Sequence, residues 1–280
     1  MKSTFWLLLS LGACLALLGA RKGFSDCQSC SAELGLPNLA TFSADPVKIS
    51  LPYSAPPAPE KWRSLTAEER VKDAQARVLP LLTQELAKKG AQLGDPAFIR
   101  VFKETKELEL WLQTGQVWKL FRTYPIAAMS GDLGPKLKEG DGQAPEGFYA
   151  FTQAKMNPAS SYHLSFNIGY PNAYDQHHGR TGSFIMVHGN EVSIGCFAMT
   201  DPVIEELYLV ADAALKGGQK EVAVHVFPFR MTDERLEKAK DETTLAFWHE
   251  LKPGYEAFEK NGAPPKVAVS TGRYCIDTAL

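Results

Sequence analysis

Apolar residues fall into two rhythms along this chain. Between residues 66 and 86 they recur every three to four positions (Val71, Ala74, Val78, Leu81, Leu82, Leu86), the spacing of one helix face. Thr66-Ala-Glu-Glu69, just ahead of them, has the form of a capping box. Pro80 is expected to kink or divide this helix, because it lacks the N–H that would bond one turn back, and Gly90 with Gly94-Asp95-Pro96 to stop it. From Phe98 the rhythm shortens to two. Phe98–Phe102, Glu107–Leu112 and Val117–Tyr124 alternate as strands, with turns at Lys103–Lys106 and Thr114-Gly115, which predicts an antiparallel meander. A Gly- and Pro-rich stretch, Gly131 to Gly147, feeds a short strand over Phe148–Thr152, and Leu164–Ile168 and Phe184–Val187 read as two more. Residues 169–182, between those two, read as a long loop. A helix is expected over Asp201–Leu215, ended by Gly217-Gly218, then a strand over Glu221–Phe227. Residues 232–260 are expected to be helical with a break at Pro253-Gly254, and Lys266–Val269 to form a last strand. The sum is an α+β protein, rich in strands, with flanking helices.

The N-terminal segment follows neither rhythm. Phe5 to Ala20 carries no charge and follows Lys2, the arrangement of an export signal, and it is short for a membrane span. Leu11-Gly12-Ala13-Cys14 resembles a lipobox, which would make Cys14 an acylated N-terminus; cleavage near Gly23-Phe24-Ser25 and an uncleaved anchor are the alternatives. All three place the mature chain in the periplasm or cell envelope. The stretch from 26 to 63 is proline-rich, ending in Pro52-Tyr-Ser-Ala-Pro-Pro-Ala-Pro59, and reads as a semi-rigid linker.

Composition narrows the function classes. At 45% hydrophobic and 22% charged residues the 280-residue chain is globular, and a formal charge of −2 gives no electrostatic footprint for nucleic acid. Five cysteines occur: Cys14, Cys27, Cys30, Cys196 and Cys275. Cys27-Gln-Ser-Cys30 has C-x-x-C spacing, but no second Cys/His pair completes a zinc site, so a local disulfide is the first expectation and an idle pair the second.

Candidate chemistry concentrates in one stretch. Phe184-Ile185-Met186-Val187-His188-Gly189 reads as a buried strand delivering a histidine to its end. Eight positions after His188 comes Cys196, behind Ser193-Ile194-Gly195 and ahead of a helix start at Thr200-Asp201-Pro202. A cysteine on a glycine-permitted turn, near a helix N-terminus, is expected to favour the thiolate, and a neighbouring imidazole to take and return its proton. A small buried cysteine and a satisfied strand-end histidine account for an isolated pair equally simply.

The residues around this pair carry a resemblance. Val-His-Gly followed by Ser-x-Gly-Cys-x-x-Met, with Pro145-Glu146-Gly147-Phe148-Tyr149 and the Gly134-Pro135-Lys136 and Glu139-Gly140-Asp141-Gly142 segments upstream, is similar to the L,D-transpeptidase (YkuD-type) catalytic domain family. Two positions depart from the family's usual pattern: Ile194 stands where a histidine is usual, and Ala198 where an arginine is. The His-to-Cys gap is also shorter. Ser-Ile-Gly-Cys-Phe-Ala-Met-Thr, with Gly169-Tyr170-Pro171-Asn172-Ala173-Tyr174-Asp175, resembles a divergent branch that includes the periplasmic enzyme releasing Braun's lipoprotein from peptidoglycan.

The resemblance implies an enzyme in which Cys196 is the nucleophile and His188 the proton donor and acceptor. Gly195 and Ser193 would form the oxyanion turn, with Tyr149, Tyr174, Arg180 and Lys136 as candidate contacts to an acidic substrate. It implies peptidoglycan stem peptides as partners, peptidoglycan-linked lipoprotein as a further one, and neither cofactor nor metal. A tether to the membrane would come from the N-terminus. The corresponding division is an export or anchoring segment (1–25), the linker with its C-x-x-C (26–63), a helical region packing on the catalytic domain (64–94), the catalytic domain (95–230) and a C-terminal helical extension (231–280).

Three other classes remain in play on sequence. A papain-like hydrolase has its cysteine ahead of a distant histidine, and here His188 comes first. A zinc amidase drawing on His163, His177, His178 or His188 would need a ligand spacing such as H-E-x-x-H, which is absent. A non-catalytic wall-binding module is permitted by Ala198 and opposed by the retention of both Cys196 and His188.

Overall fold

The computed structural model describes residues 60–239 and 241–277. The export segment with Cys14, and the linker through residue 59 with Cys27 and Cys30, lie outside the described residues.

A 3-10 turn (Glu60–Ser64) leads into the first helix, α1 (Ala67–Lys88). The capping box forms as read: Thr66 and Glu69 satisfy each other's backbone N–H groups. Ala74, Val78, Leu82 and Leu86 make the buried stripe. Contrary to expectation, Pro80 does not divide α1. Pro80 is exposed, and so is Ala76, so the carbonyl that loses its partner faces solvent and the helix runs on.

The meander is β1 (Ala97–Phe102), β2 (Glu107–Thr114) and β3 (Val117–Pro125), all antiparallel, with β4 at Gly147–Phe151. A second run comprises β5 (Met156–Ser160), β6 (His163–Asn167), the short α2 (Ala173–His177), β7 (Met186–His188) and β8 (Phe197–Ala198). Then follow α3 (Asp201–Lys216), β9 (Val222–Phe227), α4 (Asp233–Leu236), α5 (Glu242–Asn261), β10 (Lys266–Ser270) and β11 (Arg273–Asp277). The expected loop at 169–182 therefore contains a helical turn, which Asn172 starts with a capping box of its own.

Two main sheets result. One runs β3-β2-β1-β9-β4 and the other β5-β6-β7-β8, with β10 and β11 as a separate hairpin. β1–β9 and β7–β8 are parallel pairs and the rest antiparallel, so both main sheets are mixed. α3 packs against β1, β6 and β7, and its buried Val203, Ile204, Leu207 and Leu215 join the main core together with Ile99, Val101, Phe166 and Val224. This is an α+β fold with flanking helices.

A second apolar cluster lies under α5: Phe102, Phe148, Phe227, Trp248, Leu251 and Tyr255. α5 passes unbroken through Pro253-Gly254. Pro253 and His249, four residues earlier, are both exposed, as at Pro80, while Gly254 is buried where a Cβ would run into the Phe148 ring.

Candidate active site

The parallel pair β7–β8 brings the segments that carry the histidine and the cysteine side by side. Val187 pairs with Phe197 and His188 with Ala198, and Cys196 precedes β8 by one residue. Cys196 lies just outside β8, and its sulfur meets the backbone N–H of Met186, two residues before His188 on β7. β8 is held on its other edge by Ala128, which exchanges both backbone hydrogen bonds with Ala198. Ala198 is fully buried there, whereas Ile194 is 89% exposed.

Each partner is fixed by backbone. His188 Nδ1 lies 2.6 Å from its neighbour's carbonyl, Gly189 O. A carbonyl only accepts, so Nδ1 carries the proton and Nε2 presents its lone pair. The Tyr162 ring packs over the imidazole, centroids 4.8 Å apart. Gly189 has no space for a side chain: a Cβ would lie 2.5 Å from Asp201 Oδ1 and 2.8 Å from Tyr162 O. Asp201 Oδ1 accepts the Asn190 N–H at 2.8 Å, and its Oδ2 accepts the Trp62 indole N–H at 3.0 Å.

On the cysteine side, Gly195 takes φ +110°, a conformation open to glycine, and lies against the Gln143 carbonyl. Ser193 Oγ donates to Cys196 O at 2.7 Å, so this hydroxyl closes the turn and does not reach the imidazole. The sulfur accepts from the Met186 N–H at 3.4 Å and donates to Phe184 O at 3.5 Å.

The electrostatics differ from the expected thiolate. Burial pushes the Cys196 thiol up, against the opposing influence of the Met186 N–H and the Lys136 charge. Burial likewise pushes the His188 imidazole down, opposed by the Gly189 carbonyl and the Asp201 charge. Desolvation is the largest influence on both groups. Both shifts favour the uncharged forms, a thiol at Cys196 and a neutral imidazole at His188.

The residues 96–223 match the L,D-transpeptidase catalytic domain family, YkuD. Over 188 residues the chain is 44% identical to the Escherichia coli K12 protein named "Putative L,D-transpeptidase YafK", a stretch covering 67% of this chain and 76% of that one. The O157:H7 protein of the same name matches equally. The chain belongs to the L,D-transpeptidase family. Among solved structures, the helical cell shape determining protein Pgp2 (K307A mutant) from Campylobacter jejuni overlaps with a TM-score of 0.41 at 22% identity, over 62% of each chain.

Within this L,D-transpeptidase domain the four other sequence candidates are all engaged by the fold. Lys136 is buried, with Nζ 2.5 Å from Asp141 Oδ1 and 3.0 Å from Lys138 O. Tyr149 is buried and donates to Glu146 O. Tyr174 stacks on Tyr274, with centroids 4.3 Å apart. Arg180 pairs with the buried Asp175 at 2.9 Å and lies over the Phe247 and Tyr174 rings. Tyr174 and Arg180 line a cavity of about 640 Å³, which Gln143, the neighbour of Gly195, also borders.

The histidines named for a metal site are spread apart in role. His163 pairs with Glu205, His178 with the Gly272 carbonyl and His188 with Gly189. No group of three His, Cys, Asp or Glu able to hold a metal occurs among the described residues. Sequence reading missed Asp201, Tyr162 and Trp62. Asp201 looked like a helix-start residue, and only the fold brings the residue-62 and residue-162 rings to this turn.

Proposed function

We propose that this protein is a cysteine-dependent L,D-transpeptidase acting on peptidoglycan stem peptides in the cell envelope, with Cys196 as nucleophile and His188 as base and acid. The observation that carries the reading is the His188 Nδ1–Gly189 O hydrogen bond, which leaves Nε2 basic on the strand that pairs with β8, the strand next to Cys196 in sequence. In the reaction, Nε2 takes the thiol proton as sulfur attacks the carbonyl carbon of the donor peptide. The C–S bond forms and the carbonyl oxygen takes the negative charge, held by the backbone N–H groups around Gly195 and Cys196. The C–N bond then breaks, and the leaving amine carries away the proton from His188. A thioester remains. An acceptor amine attacks it, gives its proton to His188 and displaces the thiolate, which is reprotonated.

Water in place of the acceptor amine makes the same machinery a hydrolase. The Ser193–Thr200 pattern, with Ile194 and Ala198, resembles the branch that contains a lipoprotein-releasing hydrolase, which makes the link between lipoprotein and peptidoglycan the second candidate substrate without fixing the acceptor. Export through residues 1–25 would deliver the enzyme to either substrate.

Mass analysis of muropeptides after incubating wild-type protein and Cys196→Ala with sacculi carrying bound lipoprotein tests the reading. Cross-linked dimers or exchanged terminal D-residues, absent with the variant, are the transferase result. Released lipoprotein peptide with a gain of water is the hydrolase result. Identical behaviour of the two proteins would overturn the mechanism and favour a wall-binding module.

A further inference from the structure

Trp62 lies in the 3-10 turn Glu60–Ser64, well ahead of residue 96, where the family domain begins, yet it reaches the turn behind His188. It is 6% exposed. Its ring packs on His163, centroids 5.0 Å apart, and the guanidinium carbons of Arg63 and Arg70 lie 4.9 Å and 4.8 Å from its own centroid. Arg70 Nη1 in turn donates to Ser160 O at 2.7 Å and to His163 O at 3.3 Å, so the indole is fixed against the β5–β6 turn that lays Tyr162 over the imidazole. Held in this way, its N–H donates to Asp201 Oδ2 at 3.0 Å.

The other oxygen of Asp201 acts on one particular peptide group. Oδ1 accepts the Asn190 N–H at 2.8 Å, and the carbonyl of that same peptide, Gly189 O, accepts the His188 Nδ1 proton at 2.6 Å. A trans peptide is planar and its N–H and C=O point in opposite directions, so an acceptor that fixes the N–H also aims the carbonyl. The aim needs fixing. Asn190 takes φ +66°, in the left-handed region that residues with a Cβ enter at a cost. A carboxylate bound through both oxygens holds this peptide in one place; bound through one alone, it can swing.

We infer that Trp62 is a positioning residue for His188: it pins Asp201, Asp201 aims the Gly189–Asn190 peptide, and that peptide decides which imidazole nitrogen carries the proton. The inference rests on the reading of His188 as base and acid, and it extends the catalytic unit to a segment ahead of the family domain. The relay acts on the tautomer of the ring, which is observable without turnover.

Nitrogen–proton NMR correlation on histidine-labelled protein, at alkaline pH where the rings are neutral, reads that tautomer. Wild-type His188 is expected to carry its proton on Nδ1. Trp62→Phe keeps a ring on His163 and removes the donor; it is expected to give a mixture with the Nε2-protonated form, and to lower kcat on a stem peptide about tenfold with KM unchanged. Asp201→Asn breaks the same bond from its other end, because its single amide oxygen stays on Asn190 and its NH₂ faces the indole donor. The same mixture is expected there, and no greater one in the double variant. A wild-type ring protonated on Nε2, an unchanged tautomer in either single variant, additive changes in the double variant, or a wild-type kcat in Trp62→Phe overturns the relay. Should Trp62→Phe fail to fold, Asp201→Asn decides alone. Failure of the cysteine mechanism would show instead as turnover by Cys196→Ala, with the tautomer changes intact.

Discussion

Asp201 is bound to the turn that orients His188: its Oδ1 holds the Asn190 N–H at 2.8 Å, two residues from the imidazole, and Gly189 between them supplies the carbonyl that fixes the ring. The carboxylate's charge also favours the imidazolium, against the burial that disfavours it. His188 is therefore expected to titrate below the ordinary histidine value, and lower still in Asp201→Asn, which removes the charge and keeps an acceptor for Asn190. Histidine-resolved NMR titration checks both. A His188 that titrates above the ordinary value, or a variant in which it rises, contradicts this electrostatic account.

The loop that backs the cysteine turn is pinned by a buried ion pair. Lys103 Nζ donates to Glu146 Oε1 and to the carbonyls of Gly134 and Ala144, each at 2.9 Å, and both side chains are fully buried. Glu146 also accepts from Trp248 Nε1 on α5 at 2.7 Å. Lys103→Met strands the carboxylate and is expected to cost about 3–5 kcal/mol in denaturant unfolding. Adding Glu146→Gln should recover part of that loss. A single variant as stable as wild type would show that the pair does not hold the loop.

Much of this fold was legible in the sequence. The period-two runs marked β1 to β3, the Thr66 and Glu69 box marked the start of α1, and the His-Gly signal marked the end of β7. Local signals failed where tertiary context decided. Pro80 and Pro253 read as breaks, yet each frees a carbonyl on a solvent-facing residue, so the helix continues. β8 is two residues long and owes its existence to β7 and Ala128, not to any pattern of its own. The thiolate expected at Cys196 assumed a helix end at hand; burial of the sulfur, invisible to sequence, pushes the thiol the other way. Asp201 and Trp62 stand 139 positions apart, and no spacing rule links them.

Acid should weaken the protein through His225. This ring on β9 lies edge-on to Phe98 and Phe148, and burial, with the nearby Arg100 charge, lowers its pKa to about 3. A depressed folded-state value means the stability is complete above the unfolded histidine value of about 6.5 and is lost as pH falls from there toward about 3. The slope is about 1.4 kcal/mol per pH unit for this one group. His225→Leu should flatten the fall between pH 6.5 and 5 relative to wild type in urea titrations. Parallel pH profiles would mean that His225 is not the group responsible.

The central claim is that Cys196 carries the acyl group. The most direct measurement is intact-protein mass spectrometry on acid-quenched mixtures of the enzyme and a donor stem peptide. The account predicts a mass increase equal to the donor's acyl portion, located on the peptide containing Cys196, removed by hydroxylamine and absent in Cys196→Ala. Turnover by Cys196→Ala at the wild-type rate, or an adduct on any other residue, would contradict it.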